Sequence, residues 1–298
     1  ESYTGTGPLQ GYDNTAFPVN VTSDDLLSVT YYDNYDFTNE VVPDESSVFK
    51  NGQPIRPLDM NGQVTGAKTR ILNTNDWLES VTFYDERYRP VKVITDNHKN
   101  GQNVIENVYR NKVSALVMST TMTHTSDDYS GTLTVAENYT YDHMDRLKTQ
   151  TQSINGATPV TIVENTYNDL SELSQKKIGN NVQQVDYAYN IRGWLTKINC
   201  GASITGTDKF GMELQYENAG QFSQYNGNIG LVKWKSGSIA NEEQTYAYDY
   251  DPMSRLSYAI YNSPGKLDHF SLKNLQYDAN GNILGLTRKH NNAGMDVL

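Results

Sequence analysis

The sequence predicts an all-β fold, a run of tandem antiparallel β-hairpins laid into one continuous sheet. Three observations predict it. A tyrosine-centred phrase recurs about nine times, two-residue alternation leads into the best copies, and no stretch sustains a 3.6-residue apolar period.

The recurring phrase is an alternating polar and aromatic run ending in Tyr-Asp or Tyr-Asn. Three or four turn-forming residues follow, and then an apolar residue opens a Thr/Lys-rich run. The best copies are Tyr139-Thr140-Tyr141-Asp142-His143-Met144-Asp145-Arg146-Leu147, Tyr187-Ala188-Tyr189-Asn190-Ile191-Arg192-Gly193-Trp194-Leu195, Tyr248-Asp249-Tyr250-Asp251-Pro252-Met253-Ser254-Arg255-Leu256 and Tyr277-Asp278-Ala279-Asn280-Gly281-Asn282-Ile283. Weaker copies begin at Tyr32-Asp33, Tyr84-Asp85, Tyr109, Tyr167-Asn168 and Tyr216. With Tyr84, Tyr109, Tyr141, Tyr167, Tyr189, Tyr216, Tyr248 and Tyr277 as markers, the spacing runs from 22 to 32 residues and averages about 27.

Each copy reads as a hairpin. Val135, Glu137, Tyr139 and Tyr141 fall on one face of an extended strand, and Thr134, Ala136, Asn138 and Thr140 on the other. Asp or Asn then opens the turn, because its side chain accepts a hydrogen bond from the backbone two residues on. The fourth turn position is Gly193 in one copy and Gly281 in another, where a type I turn followed by a left-handed residue needs positive φ. Asp145, Ser254 and Glu172 are expected in the glycine's place elsewhere, with strain at the latter two.

The period also selects the architecture. About 27 residues hold two long strands and two connections, but not the four strands of a propeller blade, which take about 40 or more. The 22 glycines and 9 prolines, scattered throughout, argue against a helical solenoid. Residues 1–70 carry Pro8, Pro18, Pro43, Pro54 and Pro57. They read as an irregular, decorated start of the sheet with a strand near Val29–Tyr32, and regular pairing is expected from Thr69-Arg70-Ile71-Leu72 through the ribbon of residues 71–298. Gly294-Met295-Asp296-Val297-Leu298 looks like the lead-in to a further copy, so the chain is expected to continue beyond both ends in its parent.

Composition narrows function. The hydrophobic share is 37%, the mean hydropathy −0.66, and tyrosine supplies 22 of the aromatic residues against 7 Phe and 3 Trp. That describes a folded chain with a thin core in which an amphipathic ring supplies much of the buried surface. A net charge of −11 with no basic run argues against nucleic acid as a partner. No apolar stretch has the length of a membrane span. Cys200, the single cysteine, has no internal disulfide partner.

These residues resemble Rhs/YD-repeat proteins, specifically the large Rhs-type proteins of Bacteroidetes bacteria. The likeness is carried by Tyr141-Asp142 with Arg146-Leu147, by Tyr189-Asn190 with Gly193, and by Phe210-Gly211-Met212-Glu213-Leu214. Gln224-Tyr225-Asn226-Gly227-Asn228-Ile229 and Tyr277-Asp278 with Gly281 extend it over nearly the whole chain. The structural repeat residues assigned on this basis are Tyr84, Asp85, Tyr141, Asp142, Arg146, Leu147, Tyr167, Asn168, Tyr189, Asn190, Gly193, Tyr248, Asp249, Arg255, Tyr277, Asp278 and Gly281. The resemblance implies a curved, spiralling sheet forming part of a hollow shell, secreted or at the bacterial cell surface, that holds a C-terminal domain, often a toxin. Its implied partners are the flanking repeats of the same polypeptide, such a cargo domain and the export machinery. The self-cleaving core of cargo-releasing members has no counterpart in this sequence.

The chain is expected to be non-catalytic, with no cofactor and no metal. None of His98, His124, His143, His269 and His290 belongs to a His-Glu-x-x-His pair, and His143 reads as a solvated turn residue. The adjacent carboxylates Asp24-Asp25, Asp127-Asp128 and Glu242-Glu243 point to opposite faces of a strand and do not converge on a substrate. Asp33, Asp36, Asp249 and Asp251 suit turn capping better than calcium, since the twelve-residue loop signature is missing. Gly5-Thr6-Gly7-Pro8 lacks the lysine and helix of a phosphate loop, and the sequons at Asn20 and Asn138 carry little weight. The rival function is an adhesin-like surface binding glycan or protein through its tyrosines and Trp77, Trp194 and Trp234. A β-helical polysaccharide enzyme, the third reading, lacks a convergent acidic cluster.

Overall fold

The computed structural model describes residues 3–15, 21–40, 62–111, 113–199, 208–237, 242–265, 269–289 and 295–297. Their structure is nearly all antiparallel β, with a single 3-10 turn, Gly220–Phe222, as the helical element among the described residues. The chain divides into two compact units, Glu1–Ile162 and Val163–Leu298.

The first unit opens with a two-stranded sheet of β1 (Tyr3–Gly7) and β2 (Gly11–Tyr12). A meander follows: β3 (Ser28–Tyr32), β4 (Val64–Arg70), β5 (Trp77–Tyr84), β6 (Pro90–Asn97), β7 (Gly101–Tyr109), β8 (Val117–Ser126), β9 (Tyr129–Tyr141) and β10 (Leu147–Ile154). Each strand of the meander pairs with its chain neighbour. Regular pairing therefore begins at Val64, five residues before the expected Thr69, and Ile71 and Leu72 lie in the turn between β4 and β5.

The second unit repeats the pattern. β11 (Val160–Tyr167), paired from Val163 onward, leads to β12 (Leu173–Ile178), β13 (Gln183–Tyr189), β14 (Leu195–Ile198) and β15 (Phe210–Gln215). Then come β16 (Leu231–Ser236), β17 (Gln244–Tyr250), β18 (Leu256–Asn262), β19 (Leu272–Tyr277), β20 (Ile283–Lys289) and β21 (Met295–Val297). Where the turn between successive strands is tight, as after β5, β9 or β17, antiparallel pairing of neighbours is the short connection available.

The core is local and thin. In the first unit Val81, Phe83, Val91, Ile94 and Tyr109 form it, with Tyr35, Phe37, Val104 and Val117 packed against it. The segment after β3 crosses this patch as a strap. Tyr35 stacks on Phe83 with ring centroids 4.8 Å apart and donates its hydroxyl to the Thr82 carbonyl at 2.9 Å, while Phe37 stacks on Tyr31 at 4.1 Å. Tyr31 in turn meets Tyr3 and Tyr12, so β1 and β2 are anchored through rings as well. From residue 110 to residue 210 no described residue is buried. In each unit's part of that stretch the described strand residues are half-exposed or exposed, without the buried face that packing on a second layer gives an ordinary domain.

The strap depends on one missing side chain. A Cβ on Gly66 would lie 2.3 Å from the Phe37 ring and 2.6 Å from the Ser80 carbonyl oxygen. Gly66→Ala is expected to displace Phe37 and lower unfolding stability by about 1–3 kcal/mol, the usual range for overpacking, read as a lower denaturation midpoint at unchanged slope.

Candidate functional site: the clasp between successive hairpins

The turn after each tyrosine is the same object in six places. At Asp85, Asp142, Asn168, Asn190, Asp251 and Asp278 the side-chain Oδ1 accepts the backbone N–H groups two and four residues on, at 2.8 to 3.0 Å. The backbone N–H of that residue donates to the carbonyl four residues on, and the fourth residue's N–H returns to its carbonyl. That fourth residue is left-handed in every copy: Tyr88, Asp145, Ser171, Gly193, Ser254 and Gly281, with φ from +59° to +88°. This is a type I turn closed by a bulge, and the ladder shifts register beside it each time.

Two sequence assignments are corrected here. The left-handed residue of the Asn168 turn is Ser171 at φ +69°, not Glu172. Glu172 is one place later, where its carboxylate accepts the Asn168 side-chain N–H at 2.7 Å. The turn-forming pair of the third copy is Tyr250-Asp251 rather than Tyr248-Asp249: Tyr248 lies mid-strand in β17 against Tyr246, and Asp249 stands opposite Tyr258. Tyr246, Tyr248 and Tyr250 stand in one phase of β17, so alternation alone does not choose between them. The weaker copies at Tyr109 and Tyr216 lead into wider loops.

The residue four places beyond the turn aspartate points back. Arg89, Arg146 and Arg255 each donate Nε to the Oδ2 of Asp85, Asp142 and Asp251, at 2.5, 2.7 and 2.7 Å, and Asn282 does the same for Asp278 at 2.8 Å. Arg89 also reaches forward. Its guanidinium lies 4.3 Å from the centroid of Tyr109, and its Nη1 donates to the carbonyls of Asn111 and Ser114. Arg255 lies 4.5 Å over Tyr277 and donates to the Asp278 carbonyl at 3.3 Å. Trp194 holds the equivalent place in its turn and meets Tyr216 at 5.0 Å.

The tyrosines reach the other way. Hydroxyls of Tyr84, Tyr109, Tyr141, Tyr189, Tyr216, Tyr250 and Tyr277 donate to the carbonyls of Val64, Pro90, Val117, Leu173, Leu195, Ile229 and Leu256, at 2.7 to 3.0 Å. All but Ile229 are the first residue of a strand in the preceding hairpin. Ring and hydroxyl thus pin these seven hairpin ends to the hairpin before, while Arg89, Trp194 and Arg255 cover the next ring. A hydrogen bond of this kind contributes about 0.5–1.5 kcal/mol net, and a guanidinium over a ring about 0.5–2 kcal/mol. The effect comes from repetition.

The remaining candidates have structural places. Tyr167 ends β11 and Leu147 opens β10 opposite Tyr141. His143 is an exposed turn residue, Asp25 caps Thr22, and Asp128 pairs with Lys99 at 2.9 Å. Among the described residues no three His, Cys, Asp or Glu side chains converge as a metal site would need, and no helix is long and apolar enough to cross a membrane. Cys200, Asn20 and His290 lie outside the described residues. The forward reach of Arg89 and the acceptor of each phenol were missed by the sequence reading. The Asp-to-Arg spacing of four in Asp85/Arg89, Asp142/Arg146 and Asp251/Arg255 is the signal that would have pointed to the first.

Fold and clasp together define a tandem-hairpin β protein. No protein-family model and no curated protein matches the chain. Solved structures contain chains to which it is similar, three of which illustrate the likeness. One is the Photorhabdus luminescens Tc holotoxin pore carrying a TccC3 mutation, with 12% identity over 80% of this chain and 19% of that one, at a TM-score of 0.29. Another is the TcdB2-TccC3-Cdc42 crystal structure, with 11% identity over 80% and 19% at 0.30. The third is TcdB2-TccC3, with 11% identity over 80% and 20% at 0.28. The chain spans about a fifth of the length of those proteins, and at these values the likeness bears no weight for function.

The clasps differ in burial, and so in what breaking them does. The Asp85 and Arg89 side chains are 2% and 12% exposed, against 22% and 28% for Asp251 and Arg255. Arg89→Ala leaves an uncompensated buried carboxylate and is expected to cost about 3–5 kcal/mol. Arg255→Ala, whose partner stays wet, is expected to cost about 1 kcal/mol or less, and paired denaturation curves decide between them.

Proton chemistry sets a stability window. Burial raises the phenols of Tyr84, Tyr109, Tyr141, Tyr189, Tyr216 and Tyr250 above their ordinary value. Their contribution is complete below the unfolded value near 10 and is lost as pH rises through the higher folded values. The hydrogen bond from Arg146, with turn amides assisting, holds the Asp142 carboxyl down at about 2, and Asp251 and Asp278 are lowered by their own turn partners. Their contribution is complete above the unfolded value near 4 and is lost as pH falls through the lower folded values. Stability should therefore plateau between about pH 4 and 10, with phenolate absorbance and loss of β circular dichroism rising together beyond the alkaline edge.

Proposed function

We propose that the chain is a non-catalytic length of wall in a YD-repeat shell. In this reading it is secreted or displayed by a bacterium as part of a longer polypeptide, and the shell encloses or displays a C-terminal, toxin-type domain. The observation that carries the reading is that none of the described residues between 110 and 210 is buried. A sheet there has no second layer to pack on, and it is held flat on its neighbours by turn and ring contacts that recur at each hairpin. Such a sheet suits a wall with a medium or a content on either side, and its ends are completed by flanking hairpins. The polar, acidic surface and the dedication of Asp85, Asp142, Asp251 and Asp278 to turn capping support a scaffold over a catalyst.

The test is to express the chain with its flanking repeats and downstream domain, to image the particle by electron cryomicroscopy, and to digest it with protease. A single-layer β wall around a lumen, with the downstream domain protected until the wall is opened, supports the proposal. A solid particle, or a downstream domain cleaved at the rate of the isolated domain, overturns it.

A further inference from the structure

Two of the three tryptophans are absorbed by the fold. Trp194 packs on Tyr216 and against Gly227, and Trp234 stacks on Tyr246 at 5.8 Å. Trp77 has no ring neighbour and no hydrogen-bond partner for its indole N–H among the described residues. It lies at the open end of a wedge. The β5 to β6 ladder stops at Ser80↔Thr95, although β5 runs back to Trp77, still paired with β4, and β6 runs on to Asn97, still paired with β7. At the apex Asp96 fills the gap: Oδ2 accepts the Glu79 backbone N–H at 2.9 Å, and Oδ1 accepts the Gln102 side-chain N–H at 3.2 Å. Beyond it lies a cavity of about 560 Å³ lined by Trp77, Asp76, Asp96, His98 and Gln102 among others. The Asp76 carboxylate and the His98 ring have no protein partner among the described residues.

We propose that this wedge is a binding site for a neutral carbohydrate of one or two pyranose rings. The volume lies within the range of small-ligand sites. An indole offers the flat apolar surface on which the C–H face of a pyranose packs, and its N–H is a donor for a ring hydroxyl. Asp76 and Asp96 are acceptors for adjacent sugar hydroxyls, His98 serves as donor or acceptor, and Gln102 holds Asp96 in place. Charge selects the class of sugar. Glu40 shares Gln102 with Asp96 at 2.8 Å, and the nearby cations are already paired: Lys68 with Glu79 at 3.1 Å, Arg70 with Asp24 at 3.5 Å and Lys99 with Asp128 at 2.9 Å. The wedge is therefore acidic and repels uronates and sialosides. The site does not depend on the shell reading: it is complete within the first unit.

The test applies the full chain to an array of neutral, uronic and sialylated glycans, then titrates it with the neutral glucose, galactose and N-acetylglucosamine disaccharides while following tryptophan fluorescence. Wild type should retain neutral glycans and give a saturable fluorescence change. Trp77→Ala should weaken binding at least tenfold. Asp76→Asn, on an exposed side chain whose loss leaves the fold intact by circular dichroism, should weaken it several-fold, and Trp194→Phe should leave it unchanged. No retention on the array, retention of acidic glycans alone, saturable binding unaltered by both wedge substitutions, or displacement of Trp77 by an extended peptide in place of sugar would each overturn the proposal.

Discussion

The hydrogen bond from a phenol at the hairpin end to a carbonyl of the preceding hairpin, made seven times, is the constraint from which the rest of this structure follows. A hairpin alone is marginal in water, and a single-layer sheet has no core to add. Strand ladders fix the register of neighbours, but they leave the hairpin tips free to fray. The phenol acts there. Its ring shields the carbonyl from water, its hydroxyl satisfies it, and the fixed ring becomes the platform for Arg89, Trp194 or Arg255 of the preceding turn.

The turn aspartate has two duties that explain why the position tolerates Asp and Asn alone among the six copies. One oxygen closes the turn by accepting two backbone N–H groups, and an amide oxygen does that as well as a carboxylate. The second group meets the residue at position five of the turn: the carboxylates accept from arginine at Asp85, Asp142 and Asp251 and from Asn282 at Asp278, whereas the amide of Asn168 donates to Glu172. The partner changes with the donor or acceptor character of the group while the backbone stays the same. The left-handed fourth residue is glycine in two turns and Tyr, Asp or Ser in the others, so the strain of a side chain there is offset by the turn hydrogen bonds around it.

The two ends of the hairpins are built differently. The tyrosine end is clasped and repetitive, whereas the opposite end carries turns of individual sequence. Between β5 and β6 that end parts into the acidic wedge around Trp77. Repetition gives the sheet its continuity, and the proposed binding site lies where the repeat lapses.

Tyrosine spacing, strand alternation and the Asp or Asn before each turn were enough to determine an all-β chain of antiparallel hairpins, and Gly193 and Gly281 to place left-handed residues, because these are local properties read over a few residues. The choice of Tyr250 over Tyr248 as the turn-flanking residue, the place of Ser171 and the start of pairing at Val64 needed the folded backbone. So did the acceptor of every phenol, the forward reach of Arg89 and the isolation of Trp77 from its two counterparts. Each of these joins residues of separate strands or turns, and the register that brings them together is fixed by the summed pairing of the sheet rather than by any one segment of sequence.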